Sequence, residues 1–106
     1  MLEQPGHKDD AGKLRWDLLP RSLETLVELY TRGALKYDDW NWAKGLKWTR
    51  VYAAMMRHLA RFWFYNERYD PETGCHHLAA VAWGALTLLE YDQEALGEDD
   101  RHYAGH

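Results

Sequence analysis

Two apolar stretches of helical period, Trp48 to Trp63 and Cys75 to Asp92, frame a polar break from Asn66 to Gly74. In the first, Trp48, Val51, Tyr52, Met55, Leu59, Phe62 and Trp63 recur on one continuous face. In the second, Leu78, Val81, Ala82, Ala85, Leu86 and Leu89 are expected to face inward. Pro71 inside the break ends the first helix, because a proline ring removes a helical hydrogen bond. Upstream, Pro20 can open another helix, in which Leu23, Leu26, Val27 and Tyr30 share a face and Gly33 is a natural stop. No pair of alternating segments joined by a tight turn suggests strands. The pattern predicts an all-α fold.

The chain divides into an N-terminal arm over 1–19, a helical domain over 20–92 and a tail over 93–106, whose last ten residues, acidic and glycine-containing, are expected to fray. Residues 34–47 have no clean period and read as a structured loop with one helical turn. Three helices in 106 residues leave much of the surface of 15 aromatic side chains to cover. A small helical bundle completed by association into a homo-oligomer, dimer or tetramer, is the expectation.

A net charge of −4 argues against binding a nucleic acid polymer, which needs a basic face, but not against a nucleotide accompanied by a metal ion. The single cysteine, Cys75, excludes an intrachain disulfide and suits a reduced, cytoplasmic setting. The N-terminus lacks the apolar core of a signal peptide, and Leu78 to Leu89 falls short of the roughly 18 residues of a membrane span. No membrane association is expected.

The polar break carries the strongest chemical signal. Glu67, Asp70 and Glu72 crowd three carboxylates into six positions, the type of ligand a hard cation such as Mg²⁺ takes. Glu67 and Asp70 are three apart, so one helical turn would set them side by side, where they repel unless a cation lies between them. The plain alternative is a solvated turn in which Asp70 caps the next helix. His58 and His77 fall on the apolar sides of their helices and are expected to point into the bundle, either as core histidines or as parts of a shared polar pocket. Glu24 and Glu28 border the apolar stripe of the first helix and could form the opposite wall of a metal site, or merely its wet edge.

Lys8, Lys13, Arg15, Lys36, Lys44 and Lys47 are candidate phosphate contacts, each alternatively a solvated charge. Tyr37, Trp40, Trp42 and Trp48 could stack on a nucleobase or serve as core anchors, and Asn41 could read a base edge or cap its turn. Cys75-His76-His77 lacks a third ligand at a useful spacing for zinc.

The segment Lys8-x-Asp10-x-Gly12-Lys13-x-Arg15-Trp16-Asp17-Leu18-Leu19-Pro20 resembles the opening of the phage-type dATP/dGTP diphosphohydrolase-like proteins, small relatives in the all-α MazG-like pyrophosphohydrolase group. The similarity continues through Gly33-Ala34-x-Lys36-Tyr37, Asn41-Trp42-x-x-Gly45, Arg57-His58-Leu59, Glu67-x-x-Asp70-x-Glu72-Thr73-Gly74 and His77-Leu78-Ala79, and covers about residues 8–91. It implies a Mg²⁺-dependent helical enzyme that releases pyrophosphate from a purine deoxynucleoside triphosphate. In the wider group one Glu-x-x-Glu helix and one Glu-x-x-Asp helix hold the metal. Glu67-x-x-Asp70 matches the second pattern; in the first, Glu24 is followed by Val27, with Glu28 one residue late.

Two functions follow from these residues. In one, Glu24, Glu28, Glu67 and Asp70 hold Mg²⁺, Glu67 or Glu72 accepts a proton from water, Lys13, Arg15, Lys36 and His58 neutralise phosphate, and Tyr37, Asn41 and Trp42 form the base pocket, with His77 nearby. In the other, a non-catalytic phage protein of the same fold binds and sequesters a nucleotide-derived signalling molecule without cleaving it.

Overall fold

The structure is a computed structural model that describes residues 6–103; the outermost residues of the arm and tail lie outside them. Three helices carry the fold: α1 Leu23–Lys36, α2 Trp48–Trp63 and α3 His77–Glu94. Short 3-10 turns occupy Trp16–Leu18 and Asn41–Lys44. Among the described residues the only β-type pairings are two isolated bridges, Lys47 with Glu98 and Tyr69 with His76. No described helix is long and apolar enough to cross a membrane. The all-α expectation holds.

Helices α2 and α3 form an antiparallel hairpin. Trp48 at the start of α2 donates its indole N–H to the Leu96 carbonyl beyond α3 (3.0 Å), while His58 near the end of α2 meets His77 at the start of α3 (2.8 Å). Between these ends Met55 lies against Gly84, where a Cβ would collide with the methionine side chain. Helix α1 packs on the other flank of α3, where the Tyr30 hydroxyl bonds Thr87 Oγ1 (2.7 Å) and its ring lies 5.8 Å from that of Trp83. Tyr91, wholly buried, donates to the Trp42 carbonyl (2.6 Å) and fastens the Asn41–Lys44 turn to α3.

Four local expectations change. Helix α1 runs three residues past Gly33, whose backbone is not left-handed; the helix closes instead when the Tyr37 N–H reaches the Gly33 carbonyl (2.9 Å). The tail is not frayed over 96–100. Glu98 exchanges backbone hydrogen bonds with Leu46 and Trp48, and Asp100 accepts from the Thr49 N–H and hydroxyl. The cap of α3 is His76, whose Nδ1 accepts from the Leu78 N–H (3.0 Å), not Asp70.

The fourth change concerns which faces are covered. Leu78, Ala82, Ala85, Leu86 and Leu89 are exposed, and so are Tyr52 and Trp63. The inward face of α3 consists instead of His77, Gly84, Thr87 and Tyr91. Apolar residues surround α3 on all sides, so their period does not select a face. The choice falls to the small residue that lets α2 approach and to the polar groups that find partners.

Candidate functional site

The acidic break folds on its own short-range bonds. Asn66 takes a left-handed backbone (φ 54°), which asparagine tolerates better than most residues, and turns the chain away from α2. Pro71 then occupies the first corner of a turn that Asp70 closes. Asp70 Oδ1 accepts from the Glu72 N–H (3.1 Å) and Oδ2 from the Thr73 hydroxyl (3.0 Å), while Gly74 supplies a positive φ. Burial pushes the Asp70 carboxyl upward, but these donors and the nearby histidines outweigh it and hold the group below the usual aspartate range.

Glu67 sits just before this turn and reaches the buried end of the hairpin. Its Oε1 lies 2.7 Å from Nε2 of His77, and its other oxygen 3.1 Å from the Arg61 guanidinium. The hydrogen bond from His77, then that from Arg61, lowers its carboxyl pKa. An ionised carboxylate only accepts, so His77 in its neutral form donates through Nε2 and offers the lone pair of Nδ1. His58 therefore donates through its own Nδ1 across the 2.8 Å contact, which leaves its Nε2 as a lone pair. Burial, then the neighbouring His77, depresses the His58 pKa and favours this neutral form. A carboxylate–imidazole–imidazole chain runs from Glu67 through buried His77 to half-buried His58.

His58 borders a cleft of about 960 Å³ between α1, the Trp40–Lys44 segment and the hairpin. Lys36, Tyr37, Asn41, Trp42 and Glu72 line it. So do Arg32, Trp40, Trp83 and Thr73. Trp40 and Trp42 stand 6.0 Å apart between ring centres. Trp40 is an exposed tryptophan held at φ 61°, a conformation costly for a bulky side chain and typical of functional sites. Arg32 donates to the Thr73 carbonyl (3.2 Å) and to Cys75 Sγ (3.1 Å), tying α1 to the acidic turn at the rim. Nothing in the sequence marks Arg32 for this, because a lone arginine on a helix has no spacing that points to partners about forty residues away.

Other candidates lie elsewhere. Lys13 and Arg15 are exposed on the arm outside the cleft lining, and Arg15 pairs with Asp17 (2.7 Å). Glu28 borders a separate hollow of about 330 Å³ with Thr25, Tyr69 and His76, and Glu24 lines neither cavity. Among the described residues no three His, Cys, Asp or Glu side chains form a group able to hold a metal ion. The structure thus does not gather Glu24, Glu28, Glu67 and Asp70. Glu67 is committed to Arg61 and His77, and Asp70 to its own turn. As arranged in one chain these residues do not fit a Mg²⁺ site, and no chemical step is assigned to a metal.

Among known families, the one described as dATP/dGTP diphosphohydrolase, N-terminal, matches residues 3–101. No curated protein and no solved structure matches the chain.

Proposed function

The chain belongs to the dATP/dGTP diphosphohydrolase N-terminal family, and from that premise we propose that it binds a purine deoxynucleoside triphosphate in the aromatic cleft and hydrolyses it to the monophosphate and pyrophosphate. The observation that carries this reading is the placement of His58, end of a carboxylate-anchored imidazole chain, in a cleft whose other wall is Trp40, Asn41 and Trp42. A cleft of this volume is the size of a small-molecule site. The indoles offer a stacking face for the base, and the Asn41 amide a donor and an acceptor for its edge. Lys36 and Arg32 supply positive charge toward the phosphates.

In the reaction, a water attacks the α-phosphorus, the bond to the bridging oxygen breaks, and pyrophosphate leaves. His58 Nε2 accepts the proton of that water. The resulting imidazolium keeps its Nδ1–H on His77, whose ring stays oriented by the Glu67 carboxylate, much as a buried acid orients a catalytic histidine. Glu72, exposed at the edge of the cleft, has no part in this chain and is assigned no step.

The commitment of Glu67 and Asp70 to protein donors favours a second reading, retention of the nucleotide without turnover. One experiment separates the two. A nucleotide panel, with and without Mg²⁺, is assayed for pyrophosphate release and for ligand recovered after denaturation. Release from dATP or dGTP that His58→Gln abolishes, with binding retained, supports hydrolysis. Bound nucleotide recovered intact supports sequestration, and no binding by any nucleotide refutes both.

A further inference from the structure

We propose, on the reading of the cleft as a nucleotide site, that Asp38 sets its base preference: the carboxylate accepts from the edge of guanine and turns adenine away. Asp38 lines the cleft beside Trp40, Asn41 and Trp42. It also opens the turn that carries them, since its carbonyl accepts from the Asn41 N–H (3.1 Å). Its side chain is exposed, and Oδ2 accepts from the Lys44 ammonium at the far end of that turn (2.8 Å). The hydrogen bond from Lys44, and then its charge, hold the Asp38 carboxyl below the usual aspartate range. The group is therefore ionised at neutral pH. It only accepts, with one oxygen held by Lys44 and the other open.

The neighbouring groups of this wall do not tell one purine from the other. Indoles stack on any base, because every base has a π-face. The Asn41 amide offers a donor and an acceptor and can present either by turning over, and the Tyr37 hydroxyl can likewise donate or accept. Glu72, a second carboxylate in the lining, belongs with Thr73 to the acidic turn rather than to the aromatic segment. Asp38 differs because its role cannot be reversed. Guanine presents an N1–H and a 2-amino group side by side, spaced to meet the two oxygens of a carboxylate. An ionised carboxylate has about four lone-pair sites, so Oδ2 can accept from the base and keep Lys44. Adenine has a lone pair at N1 and no amino group at C2, and would set one acceptor against another. A site built on one hydrogen-bonding pattern rejects the base that lacks it, because its own polar group is left unpaired. A bare carboxylate would also repel a triphosphate. Lys44 offsets that charge and leaves the acceptor pattern in place.

Titration calorimetry of the full chain with the α,β-methylene analogues of dGTP, dITP and dATP tests the proposal, because these keep the base and cannot release pyrophosphate. The wild type is expected to hold the guanine analogue about 10- to 100-fold more tightly than the adenine analogue. Hypoxanthine, which keeps N1–H but lacks the 2-amino group, should fall between them. Asp38→Asn, whose amide supplies a donor and an acceptor to adenine, should bring the ratio to about one or below. Asp38→Ala should bring it to about one by weakening guanine alone. Lys44→Gln should lower it by a smaller factor, since the carboxylate stays but is no longer held. Far-UV circular dichroism checks helicity, which is expected to survive at these exposed positions. If Asp38 only closed its turn, Asp38→Ala would weaken all the analogues alike and leave the ratio unchanged, a result that overturns the proposal. A wild type that binds guanine and adenine equally, or prefers adenine, overturns it as well. Binding without base preference thus refutes the role of Asp38 and spares the cleft, whereas no binding by any analogue refutes both.

Discussion

Replacing His77 probes the centre of the site and of the hairpin at once. Its imidazole is 2% exposed and makes two bonds, to Glu67 at 2.7 Å and to His58 at 2.8 Å. A hydrogen bond of this kind contributes about 1 kcal/mol net, and a large-to-small change at a buried site adds a cavity cost. Both former partners have another recourse. Glu67 keeps Arg61, and it and His58 are open enough for water to replace the lost contact. His77→Ala should therefore cost about 3 kcal/mol rather than the 5 kcal/mol of the worst cavities. His77→Gln, whose amide can still donate to Glu67, should cost about 1–2 kcal/mol. Urea unfolding followed by circular dichroism at pH 7.5, at one fixed protomer concentration, measures both. A loss below about 1 kcal/mol for the alanine variant, or equal losses for the two, would refute the reasoning that His77 is held by its partners.

Acid should act on the same chain in two stages. The His58 pKa lies below the ordinary 6.5, so the unfolded chain takes up a proton first; stability is complete above about 6.5 and is lost as pH falls through the folded value. Glu67 and Asp70, both depressed, add a second loss below the usual carboxylate range. Urea midpoints between pH 8 and 3 should show both stages in the wild type and only the lower one in His58→Gln. Tyr91→Phe removes the bond to the Trp42 carbonyl at a fully buried position, so it should cost about 1–2 kcal/mol and weaken nucleotide binding by loosening the cleft wall, both readable by melting and titration. Trp40→Gly should separate stability from binding. Relief of the left-handed backbone raises stability by about 1 kcal/mol, while loss of a stacking surface costs roughly 5- to 100-fold in nucleotide affinity. A parallel change in both would show that Trp40 is a structural anchor.

Much of the fold was legible because it rests on short-range rules. The seven apolar residues of α2 gave a clear period, and Pro71 with Gly74 fixed the break within a residue or two. His58 and His77 were placed inward by spacing from Val51 and Gly84, and that placement holds. Their bond to one another was not legible, since the wheel gives direction but not how the two helices meet in register. The carboxylates were the hardest to read. Three acids in six positions look alike in sequence, yet one is drawn into the hairpin by His77 and Arg61, one closes its own turn, and one faces the cleft. What separates them is the left-handed step at Asn66 and the return of the chain toward His77, where the His77 N–H bonds the Arg68 carbonyl.

Helix α3 explains why composition misled about the core and how the two sides of the hairpin depend on each other. Gly84 turns toward α2, whereas Leu78, Leu86 and Leu89 turn out. Close approach at Gly84 brings Met55 against the α3 backbone, and about two turns along α3 toward its start the same approach lets His58 reach His77. A helix with its leucines packed inward would hold α2 farther away and break the imidazole contact. The polar chain at the cleft thus requires Gly84 inside and leaves the leucines on the outer side. A substitution at Gly84 therefore reaches the cleft through one change in helix spacing, whereas a charge at Leu86, exposed on the outer side of α3, leaves the imidazole contact in place.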